Sequence, residues 1–184
     1  TAIVYNLKTK ESQKIQHSWK VNSAQFSPDG NSVVTASADR TALVTNLKTK
    51  ESQKIQHSAP VNSAQFSPDG NFVVTASNDG TALVYNLKTK ESQKIQHSAA
   101  VNSAQFSPDG NSVVTASNDN TAIVYNLKTK ESQKIQHSSL VYSAQFSPDG
   151  NSIVTASFNG NANIYNLKTK ESQVIHLSSW VNSA

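Results

Sequence analysis

Histidine, serine and aspartate recur together along this 184-residue chain. His57, Ser77 and Asp79 form one set, His97, Ser117 and Asp119 the next, and His17, Ser37 and Asp39 an earlier one. These are the residue types of a hydrolase triad, in which a histidine activates a hydroxyl and an aspartate orients the histidine. A triad needs one activated nucleophile, an oxyanion hole and a pocket. A constellation present in copy after copy reads instead as a group of satisfied buried polar side chains that hold strand register. No catalytic residue is expected.

The same argument disposes of a metal site at His17, His57, His97 and His137. Ligands must converge to about 2.0–2.1 Å from one ion, whereas histidines tied to their own aspartates are spread around the molecule. Ser67-Pro-Asp-Gly70 contains a glycine that could expose backbone N–H groups to a phosphate. With proline and aspartate inside it, and four copies in the chain, it reads as a hairpin turn. No phosphate-loop or dinucleotide pattern occurs. No cofactor is expected, and the absence of cysteine excludes disulfides and cysteine metal sites.

What must position these residues is a repeat. Ser-Ala-Gln-Phe-Ser-Pro-Asp-Gly-Asn stands at 23–31, 63–71, 103–111 and 143–151, and Asn-Leu-Lys-Thr-Lys-Glu-Ser-Gln starts at Asn6, Asn46, Asn86, Asn126 and Asn166. Self-similarity at this period marks a stacked-repeat architecture, in which one unit cannot bury enough apolar surface alone. Within one unit, Val61–Phe66 alternates and reads as a strand a. Ser67–Asn71 turns, with proline setting one φ and glycine supplying the left-handed position. Phe72–Ser77 is β-branched, a strand b, and Asn78-Asp-Gly80 is a hairpin signal. Thr81–Tyr85 is a strand c and Ser92–Gln96 a polar outer strand d. Nothing has helical periodicity. Four short strands per unit make an antiparallel meander, and meanders stacked radially make a propeller.

His57-x-x-x-Val61, Phe66-Ser-Pro-Asp-Gly70, Ser77-x-Asp79-x-Thr81 and Leu83-Val-Tyr85-Asn86 together resemble the tryptophan–aspartate (WD) repeat. The departures are Tyr-Asn for Trp-Asp at Tyr5-Asn6, Tyr85-Asn86, Tyr125-Asn126 and Tyr165-Asn166, Thr45-Asn46 in one copy, and glutamine for the glycine before histidine. The resemblance implies an all-β propeller of four-stranded antiparallel blades, four complete and a fifth split and incomplete. It implies a hydrogen-bond network joining His57, Ser77, Asp79 and Tyr85, and likewise His97, Ser117, Asp119 and Tyr125. The network is expected to weaken in the copies where Thr45 replaces the ring, where Asn159 replaces the aspartate, and where Leu177 replaces the histidine. It also implies a non-catalytic scaffold for protein partners.

One array is expected over 1–184. Residues 1–20 would supply strands c and d of a split blade, 21–60, 61–100, 101–140 and 141–180 the complete blades, and 181–184 the start of another strand a. The chain falls short of five full units, so the incomplete blade leaves open edges that invite a homo-oligomer. The net charge of +4 comes from lysines repeated in every unit. Evenly spread lysines without interleaved aromatics read as a solvated surface, so nucleic acid is not expected as a partner. No apolar run reaches the length of a membrane-spanning helix. No signal peptide is visible, which favours the cytoplasm without assigning a compartment.

The copies differ at few positions, and the differences cluster. Ahead of strand a stand Trp19-Lys20, Ala59-Pro60, Ala99-Ala100, Ser139-Leu140 and Ser179-Trp180. Between strands b and c stand Ala38-Asp39-Arg40, Asn78-Asp79-Gly80, Asn118-Asp119-Asn120 and Phe158-Asn159-Gly160. Tyr142 replaces an asparagine inside strand a. In an up-and-down meander the b–c and d–a loops share one face, and the invariant a–b and c–d turns share the other. Exposed loops drift first, which is one reading. The other is recognition, because aromatic residues and arginine are the anchors enriched at interfaces. The expected protein- or peptide-binding residues are Trp19, Lys20, Arg40, Leu140, Tyr142, Phe158 and Trp180. The alternative is a purely structural chain, amplified recently or designed, with no evolved ligand.

Overall fold

The computed structural model describes residues 1–176 and contains strands only. Strands β1 (Ala2–Tyr5) and β2 (Ser12–Ile15) form a two-stranded antiparallel sheet. Four four-stranded antiparallel meanders follow. The first runs through β3 (Val21–Phe26), β4 (Ser32–Ser37), β5 (Thr41–Asn46) and β6 (Ser52–Gln56). The second contains β7 (Val61–Phe66), β8 (Phe72–Ser77), β9 (Thr81–Asn86) and β10 (Ser92–Gln96). The third contains β11 (Val101–Phe106), β12 (Ser112–Ser117), β13 (Thr121–Asn126) and β14 (Ser132–Gln136). The fourth contains β15 (Val141–Phe146), β16 (Ser152–Ser157), β17 (Asn161–Asn166) and β18 (Ser172–His176). These are propeller blades stacked face to face, and among the described residues the set is not closed into a ring.

Each turn is explained by its residues. In Ser67–Asn71 the Ser67 hydroxyl donates to Asp69 Oδ1 at 2.5 Å, and the same carboxylate accepts from Asn71 N at 3.1 Å. Gly70 closes the turn at φ +73°, where a Cβ would be strained. These bonds stabilise the carboxylate: the equivalent Asp29 and Asp149 have pKa values lowered to about 2, chiefly by the hydroxyls of Ser27 and Ser147. The c–d turn is capped by asparagine. Asn86 Oδ1 accepts from Lys88 N at 2.9 Å and Thr89 N at 3.0 Å. A short polar side chain bonding its own backbone two and three residues on holds such a turn, so Asn86 has a local role of its own beside Tyr85.

The core lies between blades. One cluster joins Val34, Ala36, Ala42, Val44 and Ile55 of the first meander to Val61, Ala64, Phe66 and Val73 of the second. The next two clusters repeat the pattern one blade further on. Both faces of a blade are thus apolar, and each blade presents one face to the blade before it and the other to the blade after it.

Every complete blade has a bulge in its first strand. Val61 pairs with Ser77 and Ser63 with Ala76, so Asn62 is extra. A bulge re-aims its side chain. Asn22, Asn62 and Asn102 each send their amide to a carbonyl of the next blade, those of Val61, Val101 and Val141, at 2.8 Å.

Candidate functional site

The b–c turns and the d–a linkers interleave on one face, as the meander requires. Arg40 O, in a b–c turn, accepts from His57 N in the following linker at 2.9 Å. Pro60 O, in that linker, accepts from Asn78 N in the next b–c turn at 2.9 Å. The a–b and c–d turns meet on the opposite face, where Leu87 N donates to Asn71 O at 3.0 Å.

Under the first face sits the histidine network. His57 Nδ1 lies 2.9 Å from Asp79 Oδ2, and Nε2 lies 2.7 Å from Thr75 Oγ1. Asp79 also accepts from Thr81 Oγ1 at 2.6 Å and Ser58 N at 3.0 Å. The same geometry recurs at His17 with Asp39 and at His97 with Asp119. Partial burial works against the Asp119 carboxylate, but bonds from Thr121, His97 and Ser98 outweigh it and hold its pKa at about 2. Burial lowers the His97 pKa against the pull of Asp119, so the ring is neutral near pH 7. A neutral ring that donates through Nδ1 to the carboxylate accepts through Nε2 from the Thr115 hydroxyl.

This corrects the expected membership of the network. Tyr85 is not part of it. It pairs with Val73, one side-chain repeat along the sheet from Thr75, and packs on the core shared with the first meander. Thr75 and Thr81 take the places around the ring. Ser77 is nearby but bonds backbone: its hydroxyl donates to Pro60 O at 3.0 Å and accepts from Asp79 N at 3.2 Å. The triad reading loses its serine, and the threonine on the histidine is fully buried. The sequence did carry a signal for both threonines, since Thr75 and its equivalents stand in every copy, and Thr81 is matched by Thr41 and Thr121. Among the described residues no three histidine, cysteine, aspartate or glutamate side chains gather as metal ligands.

The fourth blade departs from the pattern as its sequence foretells. His137 Nε2 is 3.3 Å from Thr155 Oγ1 instead of 2.7 Å. Asn159 turns its amide to Ser138 Oγ at 2.9 Å, and Asn163 Nδ2 approaches His137 Nδ1 at 3.4 Å. The fifth copy's Leu177 lies outside the described residues.

The expected binding residues fall into two groups. Trp19, Lys20 and Arg40 are exposed on the first meander, with Lys20 O accepting from Ala38 N at 2.8 Å and so fixing linker to turn. Arg40 holds φ +72° at a position where Gly80 and Gly160 stand in other copies. On the fourth meander, Tyr142 and Phe158 rings are tilted at 60° with centroids 5.9 Å apart, and Phe158 N donates to Leu140 O at 2.9 Å. These two positions hold Asn62 and Asn78 in the second blade, bonded amide to amide at 2.7 Å, and Asn102 and Asn118 in the third, also at 2.7 Å. A polar pair has been exchanged for an aromatic pair at both members together. The two groups are separated by the second and third meanders. Trp180 lies outside the described residues. A hollow of about 400 Å³ ringed by Phe26, Phe66, Phe106 and Phe146 sits on the opposite, invariant face.

The family model described as "WD domain, G-beta repeat" matches residues 9–46, 49–86, 90–126 and 130–166. No curated protein matches the chain.

Proposed function

This chain belongs to the WD domain, G-beta repeat family, and from that premise we propose that it is a binding scaffold whose b–c and d–a loop face holds a protein or peptide. Members of the family generally act as protein-interaction scaffolds and are typically non-enzymatic. The observation that carries the reading for this chain is the paired exchange at Tyr142 and Phe158. Drift at one half-buried and one exposed position has no reason to replace both partners of one asparagine pair with rings that pack on each other. Phe158 remains 37% exposed and Trp19 71% exposed.

The partner expected is one that offers apolar side chains to Tyr142, Phe158 and Leu140 and acceptors to Lys20 and Arg40. Trp180 belongs to the proposed set by its position in the repeat.

A displayed random-peptide library selected on the chain tests this. Enriched peptides should lose at least tenfold in affinity for a variant with Trp19, Arg40, Tyr142 and Phe158 changed to alanine. They should bind normally to one with Asn31, Asn71 and Asn111 changed on the opposite face. Enrichment of peptides indifferent to the first variant removes the proposed face. Failure to enrich any peptide favours the alternative of a structural chain without a ligand.

A further inference from the structure

The three internal seams show what each blade face requires. In each, strands b, c and d of one blade meet strands a and b of the next, and strand c and the following turn of that next blade pack against the same cluster. Val44 and Ile55 share a cluster with Leu83, Tyr85 and Leu87. Val84 and Ile95 share one with Ile123, Tyr125 and Leu127. In these seams the first set is covered: Val84 is 1% and Ile95 3% exposed.

The strand c and d positions of one half of such a seam, and the strand c and turn positions of the other, stand open elsewhere on the same chain. On the fourth meander, Ile164 and Ile175 occupy the places of Val84 and Ile95 and are 38% and 39% exposed. On the two-stranded sheet, Ile3, Tyr5 and Leu7 occupy the places of Leu83, Tyr85 and Leu87 and are 63%, 50% and 77% exposed. On the same face of the fourth meander Ala156 and Ala162 are buried, 0% and 8% exposed, but Ile164, Ile175 and the two-stranded sheet are exposed, so within one chain they do not meet. A polar contact has its halves ready too. Gln133 Nε2 donates to Tyr165 Oη at 2.6 Å across the third seam, and Gln173 and Tyr5 are the corresponding residues of the open surfaces. The lysine-rich c–d turns flank all the internal seams, so their charge does not bar another.

We propose that a second copy of this chain docks head to tail, its Ile3, Tyr5 and Leu7 face covering the Ile164 and Ile175 face of the first. The argument for a second copy is continuity with the existing interface: the chain itself carries the strand c and turn positions that pack against each internal seam. The contact is heterologous, two different surfaces meeting, so each docked copy leaves one of each kind open for the next.

Light scattering on a concentration series tests it, using the full chain, the variants Ile3→Glu and Ile164→Glu, and an equimolar mixture of the two variants. Both positions are exposed, so a folded variant is expected, and far-ultraviolet circular dichroism verifies it. The parent chain should give masses of at least twice 19.8 kDa that rise with concentration. Each variant alone should remain at 19.8 kDa. The mixture should recover a two-chain species and nothing larger, because each variant keeps one intact surface. A parent mass of 19.8 kDa throughout overturns the proposal, as does a mixture that fails to associate or a single variant that still does. A second readout uses the absence of native cysteine. Leu7→Cys in one chain and Gln173→Cys in another should give an interchain disulfide. A disulfide formed only when both changes sit in one chain means the chain closes on itself, which also overturns it.

Discussion

The amide of Asn102 donates to the carbonyl of Val141 at 2.8 Å, joining the bulge of one blade to the first strand of the next. The Val141 residue is fully buried, so removing the amide leaves a buried carbonyl short of a donor. That loss costs about 1–3 kcal/mol. Asn102→Ala should lower the midpoint of urea unfolding without changing its slope. An unchanged midpoint would mean that water replaces the amide at no cost.

The Tyr142 and Phe158 rings should be energetically coupled. Aromatic pairs contribute about 0.5–1.5 kcal/mol beyond area burial. A double-mutant cycle with Tyr142→Asn and Phe158→Asn reads this directly. The doubly changed chain has the asparagine pair of the second and third blades and should be nearly as stable as the parent, while each single change is worse. Additive effects would contradict a paired exchange.

Arg40 stands at φ +72°, and glycine takes that conformation without a Cβ penalty. Arg40→Gly should therefore raise stability by about 1 kcal/mol, measured as a higher thermal midpoint. The same change should weaken capture of any peptide selected on the proposed face. Stability gained together with binding lost is the expected outcome, and stability lost would show that the arginine side chain holds the loop.

Asn163 replaces the leucine or isoleucine of the other complete blades, and its Oδ1 is buried without a partner among the described residues. An unsatisfied buried acceptor costs about 1–3 kcal/mol. Asn163→Leu should stabilise the fourth blade by about 1 kcal/mol or more, seen as slower hydrogen exchange in β16 and β17. Faster exchange would assign the 3.4 Å approach of Asn163 to His137 a larger part than its length implies.

Acid should act in two stages. His97 has a lowered pKa in the fold, so the unfolded chain takes up its proton first, and stability falls as pH drops below about 6.5. Asp119 has a folded pKa of about 2 against an ordinary value of 3.8. Its contribution is fully present above the unfolded value and disappears as pH falls toward the folded one. Thermal midpoints should decline gently from pH 7 to 5 and more steeply below 4. Asp119→Asn should remove part of the steep stage, and an identical profile in that variant would detach the network from the acid response.

The blades were legible in the sequence because turn residues stand at fixed offsets in every copy. Ser-Pro-Asp-Gly can do little but turn, and Val61–Phe66, Phe72–Ser77 and Ser92–Gln96 form strands over the lengths that the residues between the turns predict. The placement of Tyr85 was not legible. Its position in the repeat pointed to the histidine, but strand pairing sets it beside Val73 and gives the Thr75 hydroxyl the contact with His57. The bulge at Asn62 was hidden for a related reason, since an extra residue leaves the spacing of every motif unchanged. The coupling of Tyr142 to Phe158 needed the register, because the two positions are brought together only when the bulge tilts one toward the other turn.

The histidine seam bears on how such a surface can change over time. His57 is tied through its backbone to the turn of the blade before it and through its ring to the turn of the blade after it. The spacing between neighbouring loops is thus held from beneath, by residues that do not take part in the display. A loop can trade its exposed side chains, as those around Trp19 and Phe158 have done, while the loops beside it keep their places. Diversification can proceed one blade at a time, each trial leaving its neighbours undisturbed.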